Sequence, residues 1–477
     1  MALGRHRQQA QIHKVSHEFE TVCVRFCVDS GKQNYKPWGG TMSTTNRALV
    51  GVLAVSCLTF LGCSQEPPAS PLETIGAPTT LDFPKVGGNL GNQSYSALDQ
   101  INRDNVAQLG GAWLVRVEDG AAEGNSQGTP IVVDGVVYVE TARGNVVAVH
   151  GATGATLWRY TSTRGTTLRR GLGYGNGLLF TAAQGNWIIA LNKDTGEVVW
   201  ERQYEGYGNL LKPALTYFDG KVFVGTNDSP RSAVLTLDAS NGDLLWHFWG
   251  VPGPGDMGHE TWGEGDAWES GGASAWMAPA IDPELNLVYW TFGNARGGGA
   301  NDGSERPGTN LFANSLVALD LDTGEYRWHF QSVHHDIWDM DNVMSPVLID
   351  AEINGEKRPL IVYGSKTGMH YILDRRDGSA PLGIEERPAP QDERQHTWPT
   401  QPYPIQGGFV ENCVVEQPLG TEIPGDPNRA VPNYLTGCLF DPHWEDFVLS
   451  VPGIGGGSDT NLKSYSHSTG LLYSGTG

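Results

Sequence analysis

The stretch Asn192-Lys-Asp-Thr-Gly-Glu-Val-Val-Trp200 decides the fold, because its turn and its tryptophan recur along the chain. Alternating apolar segments such as Val146–Val149 and Leu316–Leu319 precede the turns, and in four copies a tryptophan follows four residues after the glycine. A recurrence in fixed register indicates a repeated structural unit. The turns are His150–Gly154, Asn192–Gly196, Asp238–Gly242, Asp320–Gly324 and Asp374–Gly378, and the tryptophans are Trp158, Trp200, Trp246 and Trp328.

Most units also carry a hairpin signal upstream of the turn, an Asp-Gly or Asn-Gly pair flanked by β-branched or aromatic residues. A unit is therefore a small antiparallel sheet, which cannot bury both faces alone but can do so when packed against its copies around an axis. This predicts an all-β protein, a β-propeller, in which each tryptophan fills the gap between neighbouring blades. Trp113 occupies the same position in an incomplete N-terminal unit. The hairpin pairs are Asp134-Gly135, Asn176-Gly177, Asp219-Gly220 and Asn354-Gly355.

Three long stretches, residues 252–272, 295–310 and 383–450, interrupt the repeat. Long loops on a rigid scaffold are often functional. The last residues, 471–477, form a predicted strand after a Thr469-Gly470 turn. We therefore expect the propeller to be truncated at the C-terminus, with at least one blade missing.

The first part of the chain is a predicted targeting segment. Residues 1–41 are expected to be a non-native extension, and residues 42–62 combine a short polar start with an apolar run too short to span a bilayer, which is typical of a signal peptide. Cys63 resembles a lipobox cysteine, which predicts a periplasmic protein anchored to a membrane by lipid; ordinary cleavage nearby is the alternative. Residues 63–82 form a linker, and residues 83–477 form the propeller.

Charge and cysteine content exclude some functions. The net charge of −21 repels phosphate backbones, so we expect no nucleic-acid partner. Beyond Cys63 only Cys413 and Cys438 remain, and in an oxidising compartment they can form one disulfide. The sequence has no Cys-x-x-Cys-His, so this chain carries no covalent c-type haem.

The most unusual string is Gln331-Ser-Val-His-His-Asp-Ile-Trp-Asp-Met-Asp-Asn342. Two histidines, three acids and a tryptophan suit a loop at a strand end that holds a metal or a general base. For such a cluster alone, a solvated loop is the competing interpretation.

The string His334-His-Asp-Ile-Trp-Asp-Met-Asp341, with Lys366 in Ser365-Lys-Thr-Gly-Met-His370 downstream, resembles the quinoprotein dehydrogenases that use pyrroloquinoline quinone (PQQ). The resemblance runs from about residue 83 to the end, and this form of the string is closest to the membrane glucose and quinate branch. It implies an eight-bladed β-propeller that oxidises an alcohol or sugar hydroxyl. Electrons would pass to an external acceptor, a cytochrome c or a quinone.

The resemblance also implies catalytic roles. Asp339 would be the general base that takes the substrate hydroxyl proton, and Lys366 would hydrogen-bond the quinone oxygens where negative charge develops. A turn acid and a solvated strand lysine are the structural alternatives for these two residues.

The metal, Ca²⁺ or Mg²⁺ with a lanthanide as a further option, would act as a Lewis acid. The resemblance implies the metal ligands Asn294, Asp339, Asn227, Asp228 and Asp341. It implies the cofactor-binding residues Arg170, Ser274, Trp276, Lys366 and Gln127, with the Trp276 indole as the floor beneath the planar cofactor and Arg170 pairing with a cofactor carboxylate. A turn asparagine, an inter-blade tryptophan and a surface arginine are the alternatives for Asn294, Trp276 and Arg170.

Several positions depart from the alcohol dehydrogenase pattern. Arg164-Gly165 replaces a pair of vicinal cysteines, Asn227-Asp228 replaces a glutamate ligand, and Gln127 replaces a glutamate. Leu210 replaces a threonine, and Asp459-Thr460 replaces Asn-Trp. These departures leave a second hypothesis, a non-catalytic PQQ-like repeat lipoprotein that serves as an outer-membrane assembly scaffold.

Overall fold

A computed structural model describes residues 21–22, 70–118, 127–164, 170–210, 213–227, 231–297, 301–342, 344–408, 410–414, 435–444, 448–458 and 462–475. Asp228, Gly165, Asp459 and Thr460 lie outside the described residues, as do the predicted signal peptide, Cys63 and all of the predicted extension except Thr21–Val22. None of the described helices is long and apolar enough to cross a membrane.

The described residues form sheets in chain order, and all of them are antiparallel except one two-stranded parallel pair near the C-terminal end. A first pair joins β1 (Thr21–Val22) to β2 (Val115–Arg116). The first four-stranded blade contains β3 (Ile131–Val133), β4 (Val136–Glu140), β5 (Val146–His150) and β6 (Thr156–Tyr160). The second contains β7 (Gly173–Gly175), β8 (Leu178–Ala183), β9 (Trp187–Asn192) and β10 (Val198–Gln203). The third contains β11 (Thr216–Phe218), β12 (Lys221–Gly225), β13 (Ala233–Asp238) and β14 (Leu244–Trp249).

The later sheets follow the same order. The fourth blade contains β15 (Ala280–Asp282), β16 (Leu287–Thr291), β17 (Ser315–Asp320) and β18 (Tyr326–Gln331). A three-stranded sheet contains β19 (Val347–Ile353), β20 (Glu356–Gly364) and β21 (His370–Asp374). Smaller pairs join β22 (Ile384–Pro388) to β23 (Thr400–Pro404), β24 (Leu435–Thr436) to β25 (Val448–Leu449), and β26 (Ser464–Ser466) to β27 (Leu471–Tyr473). Short 3₁₀ helices span Val106–Gln108, His259–Trp262 and Ala267–Ser270. The propeller class is confirmed, and the eight-blade count stays a prediction.

The repeated tryptophans join consecutive units, as predicted. The indole nitrogen of Trp158 donates to Lys193 O at 3.0 Å, and a Cβ added at Gly196 would lie 2.4 Å from the same ring. Only glycine leaves room for the ring at that point of the turn. The same packing joins Trp113 to Gly154, Trp200 to Gly242, Trp246 to Gly324 and Trp328 to Gly378.

The connections that carry the predicted site share one end of the blades. In an antiparallel blade the start of the first strand and the end of the second lie at the same end. Arg170 and Trp276 precede first strands, whereas Asn227, Asn294 and Lys366 follow second strands. Residues distant in sequence therefore meet at this end. Cys413 and Cys438 form the predicted disulfide.

Candidate functional site

The centre of the site is an ion-pair cluster built from two connections. Lys366 Nζ lies 2.8 Å from Asp341 Oδ2 and 3.1 Å from Asp339 Oδ2. Asp341 and Lys366 are buried, with 5% and 10% of their side chains exposed, and Asp339 is more open at 24%. The Lys366 amide also donates to Asp341 O at 3.0 Å, so backbone and side chain hold the two segments together. The structure therefore brings the side chains of Asp339 and Lys366 together.

Asn294 joins the cluster through its backbone. Its amide donates to Asp341 Oδ1 at 2.7 Å, so both oxygens of that carboxylate have partners. The preceding residue, Gly293, leaves room for the carboxylate, since a Cβ there would lie 2.5 Å from Asp341 Oδ1. Gly293 N donates to Ser274 O at 2.8 Å, which ties the segment before Trp276 to the same cluster.

The second part of the site is a contact between an aromatic ring and a guanidinium group. Arg170 Cζ lies 4.8 Å from the ring centroid of Trp276, within the range of a cation–π contact. Arg170 is buried and Trp276 is half-buried, so the guanidinium is held against the indole. Gln127 is exposed, although the next residue, Gly128, packs against the backbone of Arg170. The structure thus places Arg170 with Trp276 and puts Gln127 at the edge.

Asn227 extends the site on the side of the third blade. The residue before it, Thr226, accepts the Ala275 amide at 2.9 Å, which places Asn227 beside the Ser274–Trp276 segment. Among the described residues, the buried Asn227 Oδ1 has no hydrogen-bond partner. A buried acceptor without a partner is costly, so an external ligand such as a cation would satisfy it. The described residues bring together no group of three or more acidic, histidine or cysteine ligands, so a metal here would need amide oxygens.

Burial and charge set the protonation of the cluster. Burial, and then the charge of Asp341, raise the pKa of the Asp339 carboxyl, and Lys366 opposes this rise only in part. Burial lowers the pKa of Lys366, but the charges of Asp341 and Asp339 outweigh it and raise that pKa overall. A carboxyl with a raised pKa beside a firmly charged ammonium can accept a proton near neutral pH.

The two histidines of the string have other roles. His335 is fully buried, and its ring nitrogens lie 2.7 Å from Gly308 O and 2.7 Å from Gln395 O. His334 Nε2 lies 3.2 Å from Glu386 Oε1. His335 thus contacts two loop carbonyls and His334 contacts β22, so these histidines anchor the string and are not metal ligands in this arrangement.

Besides Gln127 and Asn227, two more departures from the alcohol dehydrogenase pattern lie among the described residues. Arg164 makes an ion pair of 2.8 Å with Glu201 and stacks on Trp187 at 3.8 Å. Leu210 is buried, and its amide donates to Asn186 Oδ1. Both residues are therefore integrated into the second blade.

Sequence reasoning missed the residues that support the string from behind. Asp336, Asn314 and Arg306 are all buried next to it. Asp336 is one of the three acids of the string, but no pattern in the sequence predicted that it supports the loop. Arg306 lies in the long loop 295–310, and Asn314 follows that loop. Both precede Asp336 by more than twenty residues.

Comparisons with known proteins find two matching families. The chain matches the family described as "Glucose/ethanol/alcohol dehydrogenase, beta-propeller domain", of the PQQ group, over residues 83–176 and 220–476. A second family, described as "Outer membrane protein assembly factor BamB", matches over residues 152–261.

Curated and solved relatives carry related names. An alcohol dehydrogenase (quinone), dehydrogenase subunit, of Gluconobacter oxydans is 30% identical over 434 residues, which cover 82% of this chain and 52% of the relative. The quinohemoprotein alcohol dehydrogenase of Comamonas testosteroni is 34% identical over 63% of this chain and 46% of its own length. Its crystal structure matches at 27% identity with a TM-score of 0.64, covering 83% of this chain and 57% of that one.

A europium-containing methanol dehydrogenase structure gives a TM-score of 0.65 at 26% identity, over 83% of this chain and 68% of that one. The chain spans about half the length of the curated relatives it matches. The match to the family covers the ion-pair cluster, Asn294 and Trp276, as well as most of the repeat. The chain therefore belongs to the PQQ-dependent quinoprotein dehydrogenases with a β-propeller domain.

Proposed function

We propose that this chain oxidises a small alcohol, or a sugar hydroxyl, with PQQ and a divalent metal bound at the cluster of Asp339, Asp341 and Lys366. The observation that carries the proposal is the convergence of a half-open carboxylate, a buried carboxylate and an ammonium beside an aromatic face. When bound, PQQ would supply a two-electron acceptor and the metal a Lewis acid. Calcium or magnesium is favoured because the candidate ligands are hard oxygens, and a lanthanide is the alternative.

The residues present fit these groups. The Asn227 Oδ1 atom is a buried acceptor without a partner among the described residues. The Asp341 carboxylate, and the side-chain oxygen of Asn294, whose backbone amide binds that carboxylate, would supply further ligands. Asp228 stays a proposed ligand from the sequence alone. Trp276, with Ser274 beside it and Arg170 over its ring, offers a flat apolar surface next to a fixed positive charge. Such a surface suits a planar anionic ring, with Gln127 at its edge.

Asp339 would perform the proton transfer. Its raised pKa and its exposure of about a quarter allow it to meet a substrate hydroxyl and to take the proton. Lys366 would hold the carboxylate in place, and its charge would favour negative charge on a bound acceptor. Electrons would leave to an external cytochrome c or quinone.

A periplasmic location with a lipid anchor at Cys63 completes the proposal. It rests on the sequence of residues 42–63 alone.

The competing function is an assembly scaffold. The match to the assembly-factor family favours it, but that match covers residues 152–261 and stops before Asn294, Asp339 and Lys366. A repeat shared by both families explains the match without a shared function. The cluster outside that range therefore favours the enzyme.

One experiment tests the proposal. The full chain is incubated with PQQ and calcium, magnesium or a lanthanide, and dye reduction is measured across alcohols and aldoses. We expect cofactor uptake and turnover with at least one metal, and loss of turnover in Asp339→Asn. Failure to take up PQQ with any metal would overturn the proposal and leave the scaffold.

A further inference from the structure

Asp336 closes a turn around Asp339. Its Oδ1 accepts the Trp338 amide at 2.8 Å, and its Oδ2 accepts the Met340 amide at 2.8 Å. One carboxylate therefore fixes the amide groups of the residue before and the residue after Asp339. Because these bonds run from a single buried side chain, they leave the Asp339 backbone little freedom.

The turn holds Asp339 in an uncommon backbone conformation. Its φ is +63°, in the left-handed region that non-glycine residues occupy only in a few per cent of cases. Such a conformation persists when surrounding contacts over-determine it, and it is frequent at functional sites. The two bonds to Asp336 supply this constraint.

Asn314 connects this turn to the rest of the site. Its Nδ2 donates to Asp336 Oδ2 at 2.8 Å and to Met340 O at 2.9 Å. Its own amide donates to Gly293 O at 2.8 Å, directly before Asn294. Asn314 is fully buried, so these bonds are shielded from water. A continuous set of bonds thus relates the Asp339 loop to the Asn294 segment.

Arg306 supports the turn from the opposite side. Its guanidinium, fully buried, donates to Asp336 O at 2.6 Å and to Asn310 Oδ1 at 2.6 Å. The long loop that contains Arg306 therefore packs behind the site and holds the backbone of Asp336. This gives a physical role to a stretch that the repeat alone left unexplained.

We propose that Asp336 and Asn314 form a buried positioning pair, which sets the Asp339 carboxylate relative to Asn294. The catalytic role of this pair rests on the proposed function, whereas the hydrogen bonds that hold the loop do not depend on that function. Neither residue touches the substrate in this role. A displacement of about 1 Å at a reacting group can lower the rate on the order of 100-fold, so a positioning pair has a measurable effect.

The test compares Asp336→Asn with a control, Asp320→Asn. Asp320 is also a mostly buried aspartate that accepts backbone amides, from Asp322 and Thr323, but it lies in a blade turn. In Asp336→Asn one acceptor oxygen becomes an amide group that cannot accept from Met340 or Asn314. We expect kcat to fall on the order of 100-fold with KM and PQQ affinity within about threefold. Asp320→Asn should leave kcat unchanged.

A second measurement does not depend on turnover. Terbium binding, followed by luminescence sensitised by the nearby Trp338, reports on the oxygens of Asp339, Asp341 and Asn294 in the folded protein. We expect Asp336→Asn to weaken terbium binding about tenfold or more. The swapped variant, Asp336→Asn with Asn314→Asp, restores one donor–acceptor bond and should recover part of both kcat and terbium affinity.

The outcomes separate the two hypotheses. If Asp336→Asn folds and keeps wild-type kcat and terbium affinity, the positioning pair is overturned and the proposed function stands. If Asp336→Asn does not fold, Asn314→Ala is used instead, because it removes only a neutral amide. This variant must then show a lower kcat with a nearly unchanged KM; otherwise the inference fails. If the wild type takes up no PQQ, the proposed function falls, and terbium affinity alone decides whether Asp336 positions the Asp339 loop.

Discussion

Lys366 and Asp341 form a buried ion pair of 2.8 Å, and the same ammonium lies 3.1 Å from Asp339. One cation thus balances two carboxylates that are two residues apart. Buried charges of like sign repel strongly unless a partner compensates them. The pair therefore holds the two segments of the site together.

Lys366→Met should lower the free energy of unfolding by about 3 kcal/mol, because it leaves two neighbouring carboxylates without their counter-charge. Urea denaturation measures the loss. Lys221→Met is the matched control, since Lys221 pairs with an exposed carboxylate of Asp322, and it should cost at most about 0.5 kcal/mol. Calcium should restore more stability to Lys366→Met than to the wild type. Equal stability of Lys366→Met and the wild type would contradict the counter-charge role.

Gly196→Ala should destabilise the propeller more than Gly220→Ala. Both glycines have φ near +74°, so alanine strains the backbone by about 1 kcal/mol at each. A Cβ at Gly196 would also meet the Trp158 ring at 2.4 Å, whereas a Cβ at Gly220 meets nothing within 4 Å. We expect a further loss of about 2 kcal/mol at Gly196. Thermal unfolding of the two variants checks the difference, and equal losses would exclude a role for tryptophan packing.

Local patterns made most of the fold predictable. The hairpin at Asp134-Gly135 and the turn at Gly196 depend on residues within a few positions of each other, and the structure places them as expected. The tryptophan contacts follow from the repeat, since each reaches the next copy of the same turn. The sequence repeat therefore predicted the packing between neighbouring units as well as the positions of the strands.

The site was predictable only in part. The resemblance indicated Asp339, Lys366 and Asn294, which the structure brings together, but spacing could not separate Asp336 from the other acids of its string. The partner of Asp336, Asn314, lies 22 residues away across a blade. His335 seemed chemically suited to a site, yet its ring contacts two loop carbonyls that no local pattern reveals.

Reduction of the Cys413–Cys438 disulfide should loosen the long excursion more than the blades. The bond links residues 25 positions apart, and loop-closure entropy predicts a contribution of about 3 kcal/mol to the segment it closes. Limited proteolysis with and without reductant measures the effect, with Cys413→Ser and Cys438→Ser together as the non-reducible control. Faster cleavage within residues 383–450 is expected. Unchanged cleavage would mean that packing alone holds the segment.

Lys85 should make stability depend on pH above neutrality. Only 1% of it is exposed, and its ammonium donates to Val86 O at 2.6 Å and to Asn92 Oδ1 at 2.5 Å, both neutral acceptors. Burial lowers its pKa from the ordinary 10.5 to about 7. Between these values the unfolded chain binds the proton and the folded protein does not, so the unfolded state holds more protons and stability rises with pH.

The expected slope is at most about 1.4 kcal/mol per pH unit between pH 7 and 10.5, and it vanishes below pH 7, where both states are protonated. Urea unfolding at pH 7, 8 and 9 measures the free energy of unfolding of the wild type and of Lys85→Met. The difference between the two free energies isolates the contribution of Lys85, and it should change with pH in favour of the wild type. Lys221→Met, at a lysine paired with the exposed carboxylate of Asp322, should show a constant difference. A constant difference for Lys85→Met as well would mean that Asn92 and the Val86 carbonyl solvate the ammonium well enough to keep it charged in the core.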